Sequence, residues 1–207
     1  MKLVLFYLIV CSFIYADSYP SFTQTELQKI RSTNVISNNR IIDYRHTLIR
    51  YKKLSKTEQL KKVNYYLNQL LPQYDAITQH QQDEWATPKE FLKLGYGDCE
   101  DYVLIKYYSL IKLGFDKKRL FLTVVKDKFE GGYHMVLSYF YYKNRPPLIL
   151  DNLSSKILDI HTRKDLTPLL FINTTGVYKI DKAYKLHKVA KKYKEFEEVQ
   201  NKVKNNF

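Results

Sequence analysis

Residues 85–114 carry the sequence WATPKEFLKLGYGDCEDYVLIKYYSLIKLG, and this stretch predicts two helices joined by a tight turn. Thr87 supplies an N-cap, Pro88 stands at the first helical position, and Glu90 completes a capping box. These three residues satisfy the free N–H groups at a helix start, so we expect a short helix that runs to Leu94.

A glycine-containing turn follows this helix and leads to the only cysteine outside the N-terminal segment. Gly95 and Gly97 interrupt the helical pattern, and a second helix is expected to begin at Asp98 or Cys99 and to stop at Gly114. At a helix start, unpaired backbone N–H groups and the positive end of the helix dipole favour a thiolate. The position of Cys99 is therefore typical of a nucleophile, although a free cysteine is also commonly a small buried hydrophobe.

The sequence before this stretch is helical in pattern, and the sequence after it is extended. The segment from Thr25 to Leu71 has helical apolar spacing, Ser55 and Glu58 form a capping box, and Pro72 ends the pattern. After Gly114, strands are predicted at Leu120–Val125, Tyr133–Tyr142 and Leu148–Leu150, with weaker candidates at Ile157–Ile160 and Val177–Ile180. Helices followed by consecutive strands indicate an α+β fold rather than a parallel α/β sheet.

A final helix is predicted from Lys182 to Lys204. Its apolar side would carry Leu186, Val189, Tyr193, Phe196 and Val203, and eight lysines would lie mostly on the other side. Such a helix is either the outer layer of the fold or a docking surface for an anionic partner. We favour the structural role, because a helix of this length is able to pack across the protein's own core.

Composition and charge exclude several classes of protein. The 207 residues are 45% hydrophobic and 15% aromatic, which is too apolar for a disordered chain, and six Gly with six Pro exclude collagen-like and low-complexity classes. The formal net charge of +13 favours anionic partners. We do not expect nucleic acid, because an export signal is predicted and no zinc or aromatic RNA-binding motif accompanies the charge.

The N-terminus predicts export from the cytoplasm. Lys2 precedes an apolar run from Leu3 to Ile14 that closes on Ala16, so residues 1–16 are interpreted as a cleaved signal peptide and residues 17–207 as a single domain. The run is shorter than the ~20 residues that a membrane span needs. A lipoprotein with Cys11 acylated is the alternative, although Val10 stands where a small residue is wanted.

Two further residues complete a catalytic arrangement with Cys99. His134 follows Gly131-Gly132 in a predicted strand and is available as a base, and Asp151 closes the next apolar run, where a carboxylate would hold the imidazole in one tautomer. Each also has an ordinary interpretation, since His134 would suit a protein core and Asp151 would suit a turn. The backbone N–H of Cys99 is a candidate oxyanion donor, and the sequence identifies no second donor.

These residues stand in blocks that resemble the bacterial transglutaminase-like cysteine proteinases of the LapG type. The blocks are Trp85-Ala86-Thr87-Pro88-Lys89-Glu90-Phe91-Leu92, Gly97-Asp98-Cys99-Glu100-Asp101-Tyr102 with Lys106-Tyr107, Gly132-Tyr133-His134-Met135-Val136-Leu137, and Leu150-Asp151-Asn152. The resemblance implies Cys99 as nucleophile, His134 as base and Asp151 as orienter. It also implies a papain-like, transglutaminase-like α+β core, with the cysteine at a helix N-terminus packed on an antiparallel sheet.

The resemblance implies a biological role as well. Members of this family are periplasmic, calcium-dependent endopeptidases that release large surface adhesins by cutting near their N-termini and so control biofilm attachment. An inner-membrane cyclic-di-GMP receptor of the LapD type sequesters them. We therefore expect a periplasmic protein with an exported adhesin as substrate and a LapD-like receptor as a candidate partner.

The acidic residues around the thiol raise the question of calcium. Asp98, Glu100 and Asp101 surround Cys99, and their negative charge disfavours a thiolate unless a cation neutralises them. The family binds Ca²⁺ through acids that match Asp98 and Glu100, and we add Asp101 from its position alone. The alternative is that these acids only complement the helix dipole.

Two other functions remain open at this point, together with the role of one aromatic residue. A transglutaminase-like acyltransferase would use the same Cys-His-Asp arrangement and pass the acyl group to an amine. A non-enzymatic module would instead use its basic surface to bind a membrane or a protein partner. Trp85, the only tryptophan, belongs either to the core or to a wall of the substrate cleft.

Overall fold

Helices form the first half of the chain and a sheet forms the second. A computed structural model describes residues 19–72, 85–129 and 131–205. The predicted signal peptide lies outside these ranges. The helices are α1 (Gln24–Thr33), α2 (Val35–Tyr51), α3 (Lys56–Leu67), α4 (Pro88–Leu94), α5 (Cys99–Lys112) and α6 (Lys194–Asn205), with a 3₁₀ turn at Lys117–Arg119.

The strands form one large antiparallel sheet and one short parallel pair. The pair joins β1 (Leu71–Pro72) to β2 (Tyr96–Gly97). The other strands are β3 (Leu120–Asp127), β4 (Tyr133–Tyr139), β5 (Leu148–Asp151), β6 (Ser154–Asp159), β7 (Leu166–Asn173), β8 (Gly176–Ile180) and β9 (Leu186–Ala190). Their order across the sheet is β6-β5-β4-β3-β7-β8-β9. The α+β class predicted from the sequence is therefore confirmed.

Local capping residues define the helices of the first half. The predicted capping boxes of Thr87 with Glu90 and Ser55 with Glu58 are both present. The helical stretch from Thr25 to Leu71 divides into three helices. Asn34 takes an extended conformation and accepts a hydrogen bond from the Ser37 N–H, which starts α2, and Ser55 caps the start of α3 in the same way. The third helix ends at Leu67, before the predicted limit.

Helix α5 is the centre of the core and lies against strands β3 and β4. Its buried residues Tyr102 and Leu104 belong to the same apolar cluster as Leu122 of β3 and Leu137 of β4. Alternate strand residues such as Val136 join a second cluster on the other face of the sheet. Because α5 begins at Cys99, this packing holds the thiol near the interior strands β3 and β4, whose residues Val124 and His134 line the same cavity.

The predicted C-terminal helix from Lys182 to Lys204 is wrong in its first half. Residues Leu186–Ala190 form strand β9, which pairs antiparallel with β8, and only Lys194–Asn205 is helical. Asp181 stabilises the β8–β9 turn by accepting the N–H groups of Ala183 and Lys185. The true helix buries Phe196, Val199 and Val203 at helical spacing, so the expected structural role holds for this shorter segment.

Strand β7 is absent from the prediction, although it lies in the centre of the sheet. It contains Pro168, which pairs with Val125 at a point where the register with β3 shifts. A proline is tolerated at such a bulge because no regular ladder hydrogen bond is required there. No helix among the described residues has the length and apolar character needed to cross a membrane.

Candidate active site

Cys99 is held at the first position of α5 by the turn that precedes it. Gly95 ends α4 with φ of +84°, a conformation that favours glycine, and Asp98 is the N-cap of α5. Gly97 allows close packing, because a Cβ there would lie 2.6 Å from an Asp101 carboxylate oxygen and 2.9 Å from the Phe91 ring. The turn therefore delivers the thiol to a helix N-terminus, as the sequence predicted.

His134 and Asp151 lie on adjacent strands and are joined by a hydrogen bond. His134 is the second residue of β4, Asp151 is the last residue of β5, and His134 Nε2 is 2.9 Å from Asp151 Oδ1. Their side chains are 9% and 1% exposed. Burial alone would raise the pKa of Asp151, but His134, the Leu153 N–H and Arg163 outweigh it and hold the pKa well below its usual range.

Cys99 and His134 face a common cavity of about 410 Å³. Its lining consists of Trp85, Cys99, Glu100, Val124, Tyr133, His134, Met135, Tyr193 and Glu195. The backbone N–H of Met135, the residue after His134, favours the Cys99 thiolate and so acts to lower the pKa of the thiol. The structure thus places Cys99 and His134 in the lining of one cavity, with Asp151 hydrogen-bonded to His134.

The three acidic residues near the thiol have different environments. The Glu100 carboxylate accepts a hydrogen bond from Cys99 Sγ at 2.9 Å, whereas Asp101 is buried and its Oδ1 accepts the Ala86 N–H at 2.7 Å. Asp98 caps the helix through the Asp101 N–H. Burial raises the pKa of the Cys99 thiol, and the charges of Glu100 and Asp98 raise it further, while the Met135 N–H opposes them.

These environments bear differently on the three predicted calcium ligands. Asp98 and Glu100 flank the thiol and both act on its charge, so they remain suitable oxygen donors for a hard cation. Asp101 is the most buried of the three, and its Oδ1 ties the 85–87 segment to α5, so its role as a calcium ligand stays a prediction. Within the described ranges, no three His, Cys, Asp or Glu residues form a group able to hold a metal ion. Further oxygen ligands would have to come from other groups.

Several cavity and site residues escaped the sequence analysis. Trp85, whose role was open, is 6% exposed and stacks on Tyr193 with ring centroids 5.9 Å apart, so it is both buried and part of the cavity wall. Tyr193 and Glu195 come from the C-terminal segment. Arg163 contacts Asp151 Oδ2 at 2.8 Å from the β6–β7 loop. No motif marks Arg163, since its contact depends on the way that loop folds.

Comparison with known proteins identifies the family of this fold. The model of the family described as bacterial transglutaminase-like cysteine proteinase BTLCP matches residues 33–165. The fold matches Legionella pneumophila LapG with a TM-score of 0.74 and 31% identity over 92% of this chain and 100% of that one. A calcium-bound form of the same protein matches with a TM-score of 0.73 and 30% identity, over 85% and 98% of the two chains.

An EGTA-treated form of Legionella pneumophila LapG matches as well, with a TM-score of 0.73 and 30% identity over 86% of this chain and 97% of that one. A search of curated proteins gives no match. The family model spans well over half of the residues, and the structural matches extend over nearly all of LapG. The chain therefore belongs to the bacterial transglutaminase-like cysteine proteinases and is a cysteine protease.

Proposed function

We propose that the chain is a periplasmic, calcium-dependent cysteine endopeptidase that uses Cys99, His134 and Asp151. The observation that carries this proposal is the 2.9 Å hydrogen bond between His134 Nε2 and Asp151 Oδ1, behind a cavity that Cys99 and His134 both line. Because Nε2 is hydrogen-bonded to Asp151, Nδ1 is the ring nitrogen that is available to accept the thiol proton. Membership of a cysteine proteinase family supports the same assignment.

The chemistry follows from this arrangement. His134 Nδ1 accepts the thiol proton, and the Cys99 thiolate attacks the carbonyl carbon of the scissile peptide. The C–N bond then breaks as the imidazolium returns its proton to the leaving amine, which leaves a thioester. Water, deprotonated by His134, hydrolyses this thioester and frees the thiol. The Cys99 N–H at the start of α5 is our candidate oxyanion donor.

Calcium belongs to the proposal because of the charge around the thiol. Glu100 and Asp98 both disfavour the thiolate, and a bound cation would supply the positive charge that offsets them. Asp98 and Glu100 would provide carboxylate ligands. The calcium-bound form of the similar Legionella pneumophila LapG supports calcium as the cation.

We propose an extended segment of a large exported adhesin as the substrate. The cavity is open, and one wall is the stacked pair of Trp85 and Tyr193. An open cavity of this kind admits an extended peptide chain to the thiol. The resemblance to LapG supports an adhesin as the source of that chain and a LapD-like receptor as a regulator.

Incubation with the N-terminal regions of candidate adhesins, encoded near a type I secretion system, tests the proposal. We expect one cut per substrate and no cut by Cys99→Ala or His134→Ala. His187→Ala is a matched control, because His187 also bonds an aspartate, Asp181, at 2.8 Å but lies outside the cavity. Mass spectrometry would detect water or an added amine at the new C-terminus. Amine incorporation would favour an acyltransferase, and cleavage by Cys99→Ala would refute the mechanism.

A further inference from the structure

Arg163 connects the His134–Asp151 pair to a second carboxylate. Its Nη2 donates to Asp151 Oδ2 at 2.8 Å, and its Nε lies 3.0 and 2.9 Å from the two oxygens of Asp165. The Arg163 side chain is only 11% exposed. The contacts thus form a continuous chain from Asp165 through Arg163 and Asp151 to His134.

This chain controls the orientation of the Asp151 carboxylate. Oδ1 accepts hydrogen bonds from His134 and from the Leu153 N–H, and Oδ2 accepts from Arg163, so both oxygens are engaged. A carboxylate held at both oxygens resists rotation about its last side-chain bond. The Arg163 guanidinium is planar and is itself held by Asp165, which makes it a rigid support.

Asp165 also preserves the charge that His134 requires. An unbalanced Arg163 cation would weaken the attraction between Asp151 and a protonated His134. The Arg163–Asp165 ion pair is neutral as a unit, so Asp151 keeps its net negative charge toward the imidazole. Arg163 therefore orients the carboxylate without cancelling its electrostatic effect.

We propose that Arg163 is a positioning residue for catalysis, acting through Asp151 and held in place by Asp165. The proposal rests on the function proposed for Cys99, His134 and Asp151. Without Arg163, Oδ2 loses its partner in a nearly dry site, so Asp151 reorients and His134 spends less time in its productive geometry.

Steady-state cleavage by Arg163→Met, Arg163→Lys and Asp165→Asn tests this role. We expect the methionine variant to lose about 10- to 100-fold in kcat with KM within about twofold, because orientation changes while the substrate cleft does not. Lysine should restore part of kcat, since it is able to reach one carboxylate but not both. Asp165→Asn should cause a smaller loss. The exposed Arg145→Met is the matched control and should leave kcat unchanged.

A second readout does not require a substrate. The ¹⁵N NMR signals of the His134 ring should report one dominant tautomer, protonated at Nε2, in the wild type and a mixture in Arg163→Met at the same pH. His134→Ala identifies the signals. Circular dichroism checks that each variant is folded. If Arg163→Met does not fold, the same measurements on Arg163→Lys and Asp165→Asn test the proposal.

The outcomes separate this inference from the function on which it rests. If Asp151→Asn loses activity but the Arg163 and Asp165 variants keep wild-type kcat and a single tautomer, the positioning role is refuted and the triad stands. If Asp151→Asn and His134→Ala also cleave normally, the proposed function itself fails. Equal losses in Arg163→Met and Arg145→Met would also overturn the role, because they would indicate a general effect of charge.

Discussion

Replacement of Lys106 by methionine should stabilise the protein, and by an amount that depends on pH. Lys106 lies within α5, its side chain is 0% exposed, and its Nζ has no hydrogen-bond partner among the described residues. Burial lowers its pKa from 10.5 to about 7, although the charge of Asp151 acts in the opposite direction. Methionine has a similar length and carries no charge, so it removes the cost of burying the amine.

The magnitude follows from the difference between the folded and unfolded pKa of Lys106. Between pH 7 and 10.5 the unfolded chain binds this proton more tightly than the folded protein, so the wild type gains stability as pH rises. Between the two pKa values the slope approaches about 1.4 kcal/mol per pH unit, and it is about half of that at pH 7, where folded Lys106 is about half protonated. The advantage of the Lys106→Met variant should therefore shrink by about 2 kcal/mol between pH 7 and pH 9.

Urea unfolding of both proteins at pH 7 and pH 9 measures this change directly. The exposed Lys118→Met is the matched control and should change stability by less than about 0.5 kcal/mol at either pH. A difference between the wild type and Lys106→Met that is the same at both pH values would refute the reasoning, because Lys106 would then titrate equally in the folded and unfolded states.

Three further predictions concern activity. Asp151→Asn should reduce kcat on the order of 10³-fold, because Asn orients the His134 ring less well and carries no charge. His134→Ala should abolish activity. Peptide cleavage assays would measure both variants, and an unchanged kcat in Asp151→Asn would exclude Asp151 as the residue that orients His134. EGTA should inhibit cleavage, and Ca²⁺ should restore it better than Mg²⁺, which demands stricter coordination geometry. Calorimetry should find weaker Ca²⁺ binding in Glu100→Gln than in the wild type. Full activity with no calcium present would mean that Glu100 only complements the helix dipole. Tyr193→Ala should raise KM about fivefold or more with little change in kcat, because part of one cavity wall is lost. Tyr65→Ala is the control, because Tyr65 is an exposed tyrosine. An unchanged KM in Tyr193→Ala would show that Tyr193 does not contact the substrate.

The sequence alone determined the elements whose causes lie within a few residues. Thr87 and Glu90 bond each other's backbone across one helical turn, and Gly95 ends the same helix, so the pattern of residues was sufficient to define α4. The same local logic put Cys99 at the start of α5. His134 and Asp151 were found from their strand settings and from the family resemblance, and their catalytic roles remain predictions.

Tertiary structure decided whatever depends on pairing with the sheet or on contacts between distant segments. Leu186 and Val189 have the spacing of a helix, yet they form strand β9 and pair with β8. Backbone hydrogen bonds to the sheet outweigh the weak local preference for a helix. Arg163 reaches Asp151 only because the β6–β7 loop folds back toward the end of β5. Tyr193 reaches Trp85 in the same way, from more than a hundred residues further along the chain. The sequence thus identified candidates for the chemistry, and the long-range packing selected the residues that surround them.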